Sequence, residues 1–164
     1  DGNDSIDAGG GNGNDSIDAG EGNNTINAGD GNDIVLAGSG NDTIDAGAGA
    51  DSLNAGAGVD SIDAGVGDDT IYGAPILTGD GLDVVNAGEG DDSIDTGAGA
   101  DLVNAGMGDD VVEAGQADTL NGGDGTDTLR FGSNFDDSSS DQVTGFENYD
   151  LTADGLTVDL ASQT

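Results

Sequence analysis

One nine-residue pattern recurs along most of the chain and limits what it can fold into. From Ala28 the sequence reads AGDGNDIVL, AGSGNDTID, AGAGADSLN, AGAGVDSID and AGVGDDTIY. The unit is A-G-x-G-x-D-x-U-x, where U is aliphatic, and fourteen units in this register run from a partial one at Gly2 to Arg130. Insertions at 10–11 and 73–77 and one shortened unit, 114–121, interrupt the period without losing the register. A fixed short period predicts stacked units that share one core.

Each unit divides into a turn and a strand. The first six residues are rich in Gly and Asx, which favour turns, since Gly adopts positive φ without strain. The last three, such as Thr43, Ile44 and Asp45, alternate polar and apolar side chains, which is typical of a short half-buried strand. Two units then form one coil, and its strands pair in parallel with the coils above and below. The sequence therefore predicts an all-β fold, a solenoid of about seven 18-residue coils with two facing parallel sheets.

The aliphatic eighth position of every unit predicts the core. These residues are Ile6, Ile17, Ile26, Val35, Ile44, Leu53, Ile62, Ile71, Val85, Ile94, Val103, Val112, Leu120 and Leu129.

The composition by itself would predict a disordered chain. A net charge of -34 over 164 residues with few large aliphatic side chains is typical of sequences that cannot bury enough surface to fold. The same composition excludes several functions. Arg130 is the only cation, so nucleic acid and anionic membranes have no basic patch to bind. The chain has no Cys and no His, which excludes disulfides, zinc thiolate sites and a Ser-His-Asp triad.

The sixth position of the unit is almost always Asp, and the coil stacks these residues in two columns. We expect the first column to contain Asp15, Asp33, Asp51, Asp69, Asp92, Asp110 and Asp127. We expect the second to contain Asp4, Asn24, Asp42, Asp60, Asp83, Asp101 and Asp118. Carboxylates at strand spacing repel by about 1 kcal/mol per neighbour in water, so the columns call for cations between them. Calcium fits best, because it takes six to eight oxygens from carboxylates and carbonyls.

The unit closely resembles the glycine-rich nonapeptide of the RTX (repeats-in-toxin) family, G-G-x-G-x-D-x-U-x. The resemblance covers about residues 2–130 and implies a parallel β-roll, a right-handed, β-helix-like solenoid with calcium between successive turns on each edge. It implies that the sixth-position residues bind calcium through their side chains. It also implies that glycines bind through their carbonyls: Gly20, Gly22, Gly29, Gly31, Gly38, Gly40, Gly47, Gly49, Gly56, Gly58, Gly65, Gly67, Gly79, Gly81, Gly88, Gly90, Gly97, Gly99, Gly106 and Gly108.

The chain departs from the family pattern in three places. The first position is mostly Ala, which we expect to bind equally well through its carbonyl. Asn24 and the shortened loop at Gln116 and Ala117 predict weak or absent sites. Seven loops per edge leave at most about twelve gaps for calcium, and twelve ions would reduce the net charge of -34 to about -10.

We expect two parts: residues 1–130 as the calcium-binding β-roll and 131–164 as a C-terminal cap. The period stops after Arg130, and four aromatic residues follow within nineteen positions. A solenoid needs an atypical end segment to cover its core. A secretion signal within this tail is the alternative that the resemblance leaves open.

These features predict a calcium-binding module of a secreted or bacterial surface protein. We expect the module to fold when it binds calcium outside the cell and to serve a structural role or to assist folding on secretion. We expect no catalysis in this segment, no membrane insertion and no nucleic acid, and we expect neighbouring domains of a longer chain as partners. A structural or adhesive segment of a surface adhesin, fibre or S-layer is the alternative, with self-assembly a further option. An accessory module of a secreted enzyme is another. Ice binding is disfavoured, because Ile34, Leu36, Val84, Leu102 and Val111 break the outward ranks of polar side chains.

Overall fold

The computed structural model describes residues 2–73, 82–97, 99–114, 118–131 and 142–150. Every regular element in these ranges is a β-strand, so the predicted all-β class is confirmed. The strands are β1 (Ser5–Asp7), β2 (Ser16–Asp18), β3 (Thr25–Asp30), β4 (Ile34–Leu36), β5 (Thr43–Ala48), β6 (Ser52–Gly56), β7 (Ser61–Val66), β8 (Thr70–Gly73), β9 (Val84–Glu89), β10 (Ser93–Asp95), β11 (Leu102–Met107), β12 (Val111–Ala114), β13 (Thr119–Asp124), β14 (Thr128–Phe131), β15 (Gln142–Thr144) and β16 (Asn148–Asp150). Within the same ranges, no helix is long and apolar enough to span a bilayer.

The strands form two parallel sheets that face each other. The odd-numbered strands make the first sheet and the even-numbered strands make the second, in chain order along the stack. Each strand pairs with the strand two further on, so Ile26 lies beside Ile44 and Val35 beside Leu53. The register also holds across the insertion after β8, where β7 pairs with β9. The predicted parallel β-roll is confirmed.

The aliphatic eighth positions fill the space between the sheets. Those from Ile17 to Leu129 belong to one continuous buried cluster, and Ile6 packs against it at the N-terminal end. The first position of the unit belongs to the same core, since Ala28, Ala46 and Ala64 are at most 1% exposed. Ala at this position is therefore a core residue as well as a loop residue.

The strands of the first sheet are longer than the sequence predicts. We expected three residues, but β3, β5, β7, β9, β11 and β13 each span six and continue into the loop motif. The alternation of buried and exposed side chains runs unbroken from the sixth position through the eighth to the first. Burial of the Ala side chain does not by itself explain this length, since Ala37 in the second sheet is equally buried although β4 ends at Leu36. The turn on the first edge is therefore shorter than the six residues that we expected.

Strands β15 and β16 add one more coil after the nonapeptide repeats. They pair with β13 and β14, and Phe131, buried in the core, stacks on Tyr149 with ring centroids 6.3 Å apart. The half-exposed Arg130 forms an ion pair with Asp150, with 3.8 Å between Nε and Oδ2. The division of the chain at residue 130 stays a prediction, and residues 132–141 and 151–164 lie outside the described ranges.

Candidate metal sites

The loops that lead from the first sheet to the second form one edge of the roll, which we name the first edge. Here each sixth-position Asp after Asp15 accepts a hydrogen bond at Oδ1 from the backbone N–H of its counterpart one coil earlier. The Asp15 N–H donates to Asp33 at 2.8 Å, the Asp33 N–H to Asp51 at 2.8 Å, and so on to Asp127. The structure therefore brings together all seven residues that the sequence placed in the first column.

The loops that lead from the second sheet back to the first form the second edge, and they carry the same ladder. It begins with the Asp4 N–H donating to Oδ1 of Asn24 at 3.0 Å and ends with the Asp101 N–H donating to Asp118 at 3.0 Å. Asp42, Asp60 and Asp83 lie between them in chain order. The backbone carbonyls of these residues also accept hydrogen bonds, from the seventh-position N–H of the next coil. Each sixth residue thus ties two coils together.

The second carboxylate oxygen of these Asp residues, Oδ2, does not take part in the hydrogen-bond ladders. In the described part of the chain, Oδ2 is buried and has no hydrogen-bond partner in Asp33, Asp42, Asp51, Asp69, Asp92, Asp110 and Asp127. These side chains are at most 2% exposed. A buried carboxylate oxygen without a donor is strongly destabilising unless a proton or a cation neutralises it.

Asn24 shows what this second oxygen faces. Its Oδ1 accepts from Asp4 as an Asp would, while its Nδ2 donates to the carbonyl oxygen of Ala37 at 3.2 Å, in the next loop of the second edge. Asn24 therefore bonds through both polar atoms of its side chain, and the second bond joins it to the next loop. From the repeat we expect a carbonyl in the equivalent place for the Asp residues, whose Oδ2, unlike an amide, cannot donate a hydrogen bond to it.

Burial raises the pKa values of five first-edge carboxyls. The pKa of Asp69 and that of Asp92 rise to about 7. The pKa of Asp110 rises to about 6. The pKa values of Asp51 and Asp127 are raised as well. In each case desolvation is the largest cause, the backbone hydrogen bond opposes it, and negative neighbours add to it. The column therefore holds its negative charge only at considerable free-energy cost.

The glycines of the loop direct backbone carbonyls along the axis of the stack. Gly38 and Gly40 have φ values of 105° and 128°. A Cβ at Gly38 would collide with the carbonyl oxygen of Gly20, and a Cβ at Gly40 with that of Gly22. The arrangement recurs from coil to coil on both edges, which explains why the second and fourth positions are Gly. Carbonyl oxygens thus project from one loop towards the next.

Some predicted site residues have no described environment. Gly79 and Gly81 lie outside the described ranges, and so does the shortened loop at Gln116 and Ala117. Gly99 is described, but residue 98 before it is not.

A second ladder, at the fifth position, was missed by sequence reasoning. The Asn32 N–H donates to Oδ1 of Asn14 at 3.0 Å, and the Asp91 N–H donates to Oδ1 of Asp68 at 3.1 Å. These bonds run in the direction opposite to those of the sixth position, so neighbouring side chains reach towards different coils. The recurrence of Asn and Asp at the fifth position was the available signal.

Glu147 was missed as well. It precedes β16 and accepts at Oε2 from the Asp127 N–H at 2.9 Å, so it continues the first column by one more coil. The signal in the sequence is GFENYD, residues 145–150, which matches the second half of the unit with Glu for Asp and Tyr for the aliphatic residue.

The donors in these gaps fit calcium. They are carboxylate and backbone carbonyl oxygens, and the described ranges contain no group of three or more His, Cys, Asp or Glu side chains that could hold a metal. Carboxylate and carbonyl oxygens suit Ca²⁺, whereas Zn²⁺ in proteins is mostly bound by Cys and His side chains. The buried Oδ2 atoms supply the negative charge that such an ion needs.

Comparison with known proteins agrees with this chemistry. A family model that describes four copies of the RTX calcium-binding nonapeptide repeat matches several segments of the chain. They are residues 1–12, 9–44, 45–74, 77–112 and 115–137. No curated protein sequence and no solved structure gives a significant match. Because the matched segments cover well over half of the 164 residues, the chain belongs to the RTX calcium-binding nonapeptide repeat family.

Proposed function

We propose that calcium ions lie between successive loops on both edges of the roll, and that their binding folds the chain in a calcium-rich compartment outside the cell. The chain is a calcium-binding β-roll module by its family and its fold. The observation that carries the proposal is the row of buried Oδ2 atoms that lack a hydrogen-bond partner. Calcium supplies the positive charge that these oxygens lack.

In each gap, we assign the ligands to two consecutive loops of the same edge. The sixth-position carboxylates of the two predicted columns and the carbonyls of the predicted glycines provide the oxygens. The gap that contains Asn24 is the weakest, because the Nδ2 of Asn24 already binds the carbonyl of Ala37. At most about twelve ions fit between seven loops per edge.

The energetics make folding depend on the calcium concentration. Extracellular modules bind calcium with a Kd of about 10⁻⁴–10⁻³ M. At ten times Kd, each site adds about 1.4 kcal/mol to the free energy of unfolding, so twelve sites would add about 17 kcal/mol, more than the stability of an ordinary domain. At cytosolic calcium concentrations, the same sites add almost nothing.

Far-UV circular dichroism tests the proposal. We expect a disordered spectrum in EDTA at pH 8 and a β spectrum in millimolar calcium. Magnesium at the same concentration is the control, since it screens charge equally but prefers small octahedral sites with several waters. A β spectrum that persists in EDTA would show that calcium does not fold the chain.

The wider role follows from this dependence. We propose that the chain is part of a longer protein that is secreted or held on a bacterial surface, and that the roll assists folding after export. The RTX repeat is a structural, calcium-binding element, and we assign no catalysis to it. An accessory role beside a secreted enzyme fits the same module.

A structural or adhesive role is the second candidate. It is favoured by the outer face of the second sheet, where Ile34 and Leu36 are 51% and 45% exposed. The other apolar group that suggested assembly, Pro75 to Leu77, lies outside the described ranges. Light scattering during calcium addition separates the two roles, since a module stays monomeric and an array-forming protein polymerises. Ice binding remains disfavoured, because the exposed Val84 and Leu102 interrupt the rows of polar side chains on the outer face of the first sheet.

A further inference from the structure

The last loop of the first edge is a shortened copy of the repeat loop. Only residues 145–147 connect β15 to β16, and this stretch lies beyond the residues that match the family pattern. Asp127 nevertheless binds it as a repeat would. Its N–H donates to Glu147 Oε2 at 2.9 Å, and its carbonyl accepts from the N–H groups of Glu147 and Asn148 at 3.2 and 2.9 Å.

Two oxygen atoms, Asp127 Oδ2 and the carbonyl oxygen of Gly145, lie next to the same small space in this gap. Asp127 is fully buried, and its Oδ2 has no hydrogen-bond partner among the described residues. Gly122 marks the place where this oxygen lies: a Cβ built there would collide with both Asp127 Oδ2 and the carbonyl oxygen of Gly145. Most other units have Ala at this first position, so the absence of a side chain at Gly122 makes room for both oxygens.

The negative charge of the gap also requires compensation. Glu147 lies on the same hydrogen-bond ladder as Asp127, which places two carboxylates at one loop junction. The salt bridge of the chain's single cation, Arg130, is on the outer face of the second sheet and not in this gap.

We propose that Asp127, Glu147 and the carbonyl of Gly145 hold a further calcium ion, which fastens the C-terminal coil to the repeats. Two carboxylates balance one divalent ion, and backbone carbonyls or water complete the oxygen coordination that calcium takes. The loop that contributes to this site, residues 145–147, is shorter than the nonapeptide loop and has Glu147 in place of the sixth-position Asp. The site rests on the proposed function, because it assumes that the repeat gaps also bind calcium.

Native mass spectrometry at the lowest calcium concentration that saturates the wild-type chain tests the site. Glu147→Gln keeps an oxygen for the Asp127 N–H but removes the charge, and we expect it to bind one ion fewer. Glu113→Gln is the matched control, because Glu113 is exposed on a strand of the second sheet. It should bind as many ions as the wild type.

The outcomes distinguish this site from the proposed function. If the wild type binds several ions and Glu147→Gln binds the same number, the terminal site is wrong while the repeat sites stand. If the wild type binds none, both proposals are wrong. Should Glu147→Gln fail to give a β spectrum in calcium, Gly122→Ala decides, since it leaves the charge unchanged and places a methyl group against both oxygens. Loss of one ion in Gly122→Ala supports the site, and full occupancy overturns it.

Discussion

Replacing Asp69 with Asn separates the hydrogen bond of the sixth position from its charge. Asp69 is 1% exposed, and its Oδ1 accepts from the Asp51 N–H at 2.8 Å. Its Oδ2 is buried without a partner. Asn keeps the accepting oxygen, and Asn24 shows that the amide of this position also finds a carbonyl, that of Ala37. The substitution therefore removes the charge while leaving the ladder intact.

The structure gives the size of the effect without calcium. Burial raises the pKa of Asp69 from 3.8 to about 7, and the charges of Asp51 and Asp68 add to this rise. Between these pH values the folded state binds a proton that the unfolded state has lost, so the free energy of unfolding falls as the pH increases. The full difference corresponds to about 4 kcal/mol above pH 7. At pH 8 in EDTA, we expect Asp69→Asn to be more stable than the wild type by up to about 4 kcal/mol.

Calcium should remove this advantage in a predictable way. If Asp69 binds an ion that Asn does not, the wild type gains about 1.4 kcal/mol over the variant for each tenfold rise in free calcium above Kd. An advantage of about 4 kcal/mol then disappears at about a thousand times Kd, and the order of the two proteins reverses beyond that concentration.

The assay is folding induced by trimethylamine N-oxide at pH 8, followed by far-UV circular dichroism. This osmolyte favours compact states and makes the calcium-free proteins measurable. Asp45→Asn is the control, because it removes the same charge from an exposed strand position. The reasoning is refuted if Asp69→Asn and Asp45→Asn are equally stable in EDTA. It is also refuted if the difference between them does not change with calcium.

Three further substitutions or conditions test the remaining features. In EDTA, lowering the pH from 8 to 5 should increase the β signal, because Asp92, with a pKa of about 7, takes up a proton that the unfolded chain binds only near pH 3.8; an unchanged signal would contradict the burial of its charge. In calcium, Gly56→Ala should lower the free energy of unfolding in urea by more than about 1 kcal/mol, because Gly56 has φ 91° and the new methyl group would collide with the preceding coil. Gly10→Ala is the control and should have little effect, because a Cβ at Gly10 would have nothing within 4 Å. Leu53→Ala, at a fully buried position, should lower the free energy of unfolding by about 2–5 kcal/mol in the same assay. Leu102→Ala, at a half-exposed position, should lower it by less than about 0.5 kcal/mol, and equal losses would contradict a core between the sheets.

The sequence predicts the two columns well, because a fixed period determines which residues stack. Asp33 and Asp51 occupy the same position of units two apart, and in a parallel coil this alone brings them together. Strand length was less predictable. Ala46 begins the Gly-rich motif that we read as a turn, yet β5 continues through it to Ala48.

The direction of the side chains could not be obtained from the period. Asn32 and Asp33 are adjacent, yet the side chain of Asp33 reaches the coil before and that of Asn32 the coil after. This depends on how the loop tilts, which no repeat count specifies. Glu147 was missed for another reason, since its loop lacks three residues of the unit and breaks the register by which the other sites were found.

Asn24 explains what the charge of the sixth position contributes. With Asn, both side-chain polar atoms are bonded, one to the Asp4 N–H and the other to a carbonyl. The fold as such therefore needs an acceptor at this position and not a carboxylate. A carboxylate in the same place accepts the same hydrogen bond but leaves its second oxygen buried without a partner, as in Asp33 and Asp51, which lowers the stability of the metal-free roll. Because Asp rather than Asn occupies nearly every unit, a buried oxygen without a partner recurs along the metal-free roll, and we propose that a divalent cation in the gaps offsets the resulting loss of stability.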